Sequence, residues 1–137
     1  IAGAPQGIRE ALAAYGEEVG LVFQLSDDII DITSDVTGKT PGTDLREGVP
    51  TLPTLLLEAS RDPADQPLKD LLAGDLSDDA ALAEALAALR AHPVVEKARA
   101  EVRRHADLAR QHLAPLPEGE AKQLLLQVCE DLVERSV

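Results

Sequence analysis

Apolar positions at Ile8, Leu12, Tyr15, Val19, Val22, Phe23, Ile29 and Ile30, with Ser26 in register, recur at helical spacing. They predict one long helix over about residues 6–33. Gly16 and Gly20 interrupt it, as sites of close approach by another helix or as local weakness. Residues 34–50 lose the period and hold three Gly and two Pro, so they read as a loop. A loop this long inside a compact domain is often functional. Helical spacing returns from Thr51 through Leu52, Leu55, Leu56 and Ala59, with Pro53 in the first turn. After a break at 61–67 come a short helix at 68–73, a second at 80–91, a third from 94 to about 114 and a last from 118 to about 135. His92-Pro93 and Pro115-Leu116-Pro117 separate them. In the third, Val94, Val95, Ala98, Val102, His105/Ala106 and Ala109 lie on one side; in the last, Leu124, Leu125, Val128 and Leu132 are expected inward.

Composition supports an all-α fold. The core must be built from Leu, Ala and Val, because the chain holds one Phe, one Tyr and no Trp. Tyr15 and Phe23 are expected within it. The length, 137 residues, suits one domain or part of a larger one. A formal net charge of −12 argues against nucleic acid as a partner and against strong binding to an anionic membrane. A single Cys, Cys129, excludes an internal disulfide framework and reads as a buried thiol. No apolar run approaches the ~20 residues of a membrane span, and no targeting signal opens the chain, so a cytoplasmic location is expected. The chain has no Met and opens on Ile1, which suggests a piece of a longer product.

The chemistry lies in the segment from Phe23 to Asp31, FQLSDDIID. At about 100° per residue, Asp27 and Asp31 fall about 40° apart on one helix face, with Asp28 flanking them. Like charges at this spacing cost about 0.2–0.5 kcal/mol, and Asp is a poor residue within a helix. A hard divalent cation relieves that cost. Magnesium takes one or two carboxylates, several waters and phosphate oxygens, which an exposed carboxylate face can supply. An acidic turn on an acidic surface is the competing reading. The loop after it, GKTPGTDLREG, adds Lys39 and Arg46 among glycines, pairing metal ligands with donors for phosphate. It is not a P-loop, since Thr33 stands where the first Gly belongs and a helix precedes it. It is not an EF-hand either, since Val36 and Gly42 occupy the required Gly and Glu positions. Asp78-Asp79 lacks a third Asp and reads as the cap of the helix that follows.

FQLSDDIIDI followed by GKTPGTDLREGVPTLP resembles the second aspartate-rich motif and loop of the trans-isoprenyl diphosphate synthases, the polyprenyl synthetase family. The resemblance runs from about Tyr15 to Leu57; later helices match only in general character. It implies that residues 1–137 form the C-terminal part of one all-helical isoprenoid-synthase bundle. It implies a Mg2+-dependent prenyltransferase that joins isopentenyl diphosphate to an allylic diphosphate, working as a homodimer with at most transient membrane contact. Asp27 matches a direct metal ligand; Asp28 and Asp31 match partners acting directly or through water. Gln24 matches the glutamine beside the reacting allylic end, and Lys39 the lysine on the allylic diphosphate. Asp44 and Arg46 are candidates for ordering the loop. Many family members carry a second Lys where Val49 stands. The first aspartate-rich motif and the residues for isopentenyl diphosphate belong upstream, so a missing N-terminal half is an expected partner.

Two other functions compete. A non-catalytic helical subunit or fragment would keep the fold without turnover. A class I terpene cyclase shares the chemistry, but its second metal motif mixes Asn/Asp, Ser/Thr and Glu and lacks this loop. Among the remaining residues, His92 is expected at a helix end, the Arg99–Arg110 stripe on a solvated face, and Arg135 as a candidate near the mouth of the site.

Overall fold

The computed structural model describes residues 6–34 and 41–137. Among them there are helices and no strand: α1 (Gln6–Thr33), α2 (Thr43–Glu47), α3 (Leu52–Ala59), α4 (Gln66–Ala73), α5 (Asp79–Ala91), α6 (Val94–His112) and α7 (Glu120–Arg135), with a 3-10 turn at Pro63–Asp65. The long helix and the four C-terminal ones lie within a few residues of their expected places. The chain folds as two compact units, Ile1–Ser26 with Arg99–Val137, and Asp27–Ala98.

In the first unit the buried hydrophobic residues are Ala11, Tyr15 and Val22 of α1, Val102, Ala106 and Ala109 of α6, Leu113, and Cys129 and Leu132 of α7. The Tyr15 hydroxyl donates to the Leu125 carbonyl at 2.6 Å, which satisfies its polar end within the core. Burial, then Cys129 beside it, pushes the Tyr15 pKa up to about 12. Burial likewise raises the pKa of the Cys129 thiol, which is free and buried as expected. Glu18 pairs with His105 at 2.9 Å, joining α1 to α6. The Arg99 Nε donates to the Ser136 carbonyl at 2.8 Å. Arg104 pairs with Glu101 and Arg110 with Asp107, the solvated arrangement expected of that stripe.

Two expectations for this unit are corrected. Phe23 is 49% exposed rather than in the core, and its ring is covered by a cation instead of apolar side chains. On α7, Leu124 and Val128 point outward, at 62% and 40% exposure, and the buried face carries Cys129 and Leu132. The run Leu124-Leu125-Leu126 fits two helical faces equally well, and Cys129 at i+4 from Leu125 decides between them. The structure also shows nothing within 4 Å of a side chain built at Gly16 or Gly20, so neither marks a close helix approach among the described residues.

In the second unit Ile29 and Ile32 of α1 are buried with Leu45, Leu57, Leu76, Leu82, Ala85, Leu86, Leu89, Val94, Val95 and Ala98. The span read as loop, 34–50, contains α2. Its five residues sit between two left-handed glycines, Gly42 (φ 78°) and Gly48 (φ 73°), and bury Leu45. One turn is too short to show a helical period. On α3 the buried pair is Pro53 and Leu57, while Leu55 is 51% exposed. Asp78 caps α5 as expected, its side chain accepting the Ala81 N–H at 3.2 Å.

A polar clasp joins the ends of four helices in this unit, α3, α4, α5 and α6. The Ser60 hydroxyl donates to Asp65, Asp65 lies 2.6 Å from His92 Nε2, and His92 Nδ1 accepts the Val94 N–H at 2.9 Å. His92 thus serves the start of α6, the helix-end role expected of it. The hydrogen bond from Ser60, and then that from His92, hold the Asp65 carboxyl below its ordinary value of 3.8. A carboxyl that ionises at lower pH when folded adds stability that is complete above the unfolded pKa and lost as pH falls through the folded one. Thermal melts are therefore expected to show a drop in Tm below about pH 4, and Asp65→Asn to flatten that limb. An unchanged slope in the variant would show that the clasp contributes nothing to acid stability.

Candidate active site

The acidic segment forms the last turns of α1. Asp27 is partly exposed, whereas Asp28 and Asp31 are 8% and 3% exposed. The expected open face of three carboxylates is thus one accessible group above two buried ones. The reason is local: Ile29 and Ile32, fully buried, fix the rotation of the helix and carry Asp28 and Asp31 inward with them. The Asp28 Oδ2 accepts the N–H of Leu52, the first residue of α3, at 3.0 Å. It therefore satisfies one of the orphan donors at that helix start. Thr54 Oγ1 takes the neighbouring Thr51 N–H at 3.1 Å. Nothing in the residue pattern signals this tie between the acidic turn and the helix beyond the loop.

The backbone closes the loop from the other side. The Gly42 N–H donates to the Asp31 carbonyl at 2.7 Å. Arg46 of α2 pairs with Asp79 of α5 at 2.5 Å. Asp44 stands in the first turn of α2, where its charge suits the helix dipole. Lys39 lies outside the described residues. Val49 helps line a cavity of about 200 Å³ with Leu45, Leu55, Leu57 and Leu72.

In the other unit Gln24 is exposed on α1. Its chain neighbour Phe23 has the Arg135 guanidinium 4.6 Å from its ring centroid, a cation–π contact worth about 0.5–1 kcal/mol at an exposed site. Arg135 is thereby placed beside the segment that carries Gln24.

The oxygen-only donors of the acidic turn suit a hard cation, and one accessible carboxylate is the share of ligands that magnesium takes from a protein. No group of three or more His, Cys, Asp or Glu able to hold a metal ion by itself occurs among the described residues.

Superposition on solved synthases gives this chain the fold of the isoprenoid-synthase helical bundles. The geranylgeranyl pyrophosphate synthase of Corynebacterium glutamicum, solved with calcium and isoprenyl diphosphate, superposes on 98% of this chain with a TM-score of 0.90 and 40% identity. A decaprenyl diphosphate synthase from Rhodobacter capsulatus does so over 98% with a TM-score of 0.81 and 32% identity. The chain belongs to the polyprenyl synthetase family, whose pattern matches residues 1–89. It is 43% identical over 128 residues, 92% of its length, to the nonaprenyl diphosphate synthase of Mycobacterium tuberculosis. It spans 38% of that relative and 42% of each of the two solved synthases.

Proposed function

We propose that the chain is the C-terminal part of a polyprenyl diphosphate synthase, carrying the second of two aspartate-rich motifs. With an upstream half that bears the first motif, it would condense isopentenyl diphosphate with an allylic diphosphate. The observation that carries this reading is the Asp27–Asp31 turn, set at the end of α1 and tied to α3 through Asp28. Kinship with several named prenyl diphosphate synthases supports the reaction type.

In this reading Asp27 is the direct ligand for Mg2+, with Asp28 and Asp31 acting beside it or through water. The cation, when bound, neutralises charge that develops on the leaving diphosphate. Lys39 binds the same diphosphate. The allylic C–O bond breaks, and the electron pair leaves with the diphosphate. The isopentenyl double bond then attacks the allylic carbon to form the new C–C bond, and a proton is lost. Gln24 lies beside the reacting allylic end. The pairing of Arg46 with Asp79 and the dipole-aligned Asp44 hold the loop between α1 and α3. Arrangement as a homodimer and action in the cytoplasm, with transient contact to a lipid surface, complete the proposal. No helix among the described residues is long and apolar enough to cross a membrane.

The test is to combine the chain with the upstream half of a family member and measure isopentenyl transfer to an allylic diphosphate. Transfer that needs both parts and Mg2+ is expected. If no pairing turns over, while the chain still folds and binds its partner, the non-catalytic alternative replaces this reading.

A further inference from the structure

The last carbonyls of an α-helix have no donor within the helix and must find one elsewhere. At the end of α1 three of them, on Ile30, Asp31 and Ile32, find donors. The Ile30 carbonyl accepts the Ser34 N–H at 2.9 Å. The Asp31 carbonyl accepts the Gly42 N–H at 2.7 Å. The Ile32 carbonyl accepts the Nε–H of Arg90, 58 positions away, at 2.7 Å.

The last of these bonds differs in kind from the others. It is charge-assisted and brings a cation to a helix end that has no basic residue in its own last turn. That end already carries the negative pole of the helix dipole, and three carboxylates crowd its last two turns. Arg90 does not serve its own helix here, because α5 ends with the His92 N–H on the Leu89 carbonyl at 3.0 Å. Its Nε–H is given to α1.

We propose that Arg90 is a positioning residue for the acidic turn. By bonding the Ile32 carbonyl it keeps the last turn of α1 wound, so that Asp27, Asp28 and Asp31 hold the spacing a divalent cation and diphosphate require. This inference rests on the reading of Asp27 as a metal ligand. Arg90 touches neither metal nor substrate, and its effect passes through the backbone.

The experiment titrates the full 137-residue chain with Mn2+, a spectroscopic substitute for Mg2+, in the presence of inorganic diphosphate. Electron paramagnetic resonance reports free Mn2+, and circular dichroism follows helix content. Loss of a partner that orients metal ligands typically weakens metal affinity 10–100-fold. Acting through the backbone, Arg90→Gln is expected near the lower end, about tenfold, with helix content retained. Arg90→Lys keeps the charge and a donor, and is expected within about twofold of the parent. Parental Mn2+ affinity in Arg90→Gln, alongside its loss in Asp27→Asn, overturns the positioning role. Should Arg90→Gln fail to fold, a tenfold loss in a well-folded Arg90→Lys overturns it instead, and parental affinity there supports it. If Asp27→Asn binds Mn2+ as the parent does, the proposed function itself fails, whatever the Arg90 variants do.

Discussion

Asp27→Ala is expected to reduce isopentenyl transfer by about 10²–10³-fold or more in the assembled synthase, on the reading of Asp27 as a metal ligand. Asp27 is the accessible carboxylate of the acidic turn, so on that reading its loss would remove charge stabilisation from the departing diphosphate. Asp28→Ala makes the contrast. It removes the acceptor for the Leu52 N–H, and losing such a cap costs about 0.5–2 kcal/mol. Urea unfolding measured beside turnover separates the two variants. An Asp27→Ala enzyme that keeps near-parental turnover would end its assignment as metal ligand.

The difference between Asp27 and Asp28 also shows where the sequence was legible. Residue types and spacing were enough to place three carboxylates at the end of a long helix, because a 28-residue helix repeats its apolar pattern many times. They could not say which carboxylate faces water. That depends on the buried anchors Ile29 and Ile32 and on a partner backbone 24 positions away at Leu52. The same limit explains α7. Its leucine run is compatible with two faces, and only the neighbours that cover Cys129 and Leu132 select one. Phe23 was expected inside on hydrophobicity alone, yet an aromatic ring can stand at the surface when a guanidinium lies over it. Arg90 carried no sequence signal at all. It sits in the last turn of α5, where a basic residue reads as a partner for that helix's own dipole. Its bond to the end of α1 exists only because α5 and the acidic turn are brought together by the fold.

The second large effect is expected at Gly42, which the residue pattern marks only as part of a glycine- and proline-containing loop. Gly42 has φ 78°, a region that costs a non-glycine residue about 1–2 kcal/mol. A Cβ built there would stand 3.1 Å from Leu86 Cδ1 and 3.2 Å from Leu82 Cδ1, tighter than ordinary packing. The leucine ends can move by a few tenths of an ångström, so sterics add less than the backbone term for alanine and more for valine. Gly42→Ala is expected to destabilise the chain by about 2 kcal/mol, and Gly42→Val by about 3–4 kcal/mol. The consequence reaches the acidic turn, because the Gly42 N–H is the donor for the Asp31 carbonyl. A Gly42 variant that keeps its fold should therefore also bind Mn2+ and diphosphate more weakly. Gly48, at φ 73° with open space around it, is the control. Gly48→Ala carries the backbone cost alone and leaves the Asp31 carbonyl bonded. Equal loss of metal affinity in the two variants would show that the effect comes from general weakening of α2, and not from the contact between Gly42 and the end of α1.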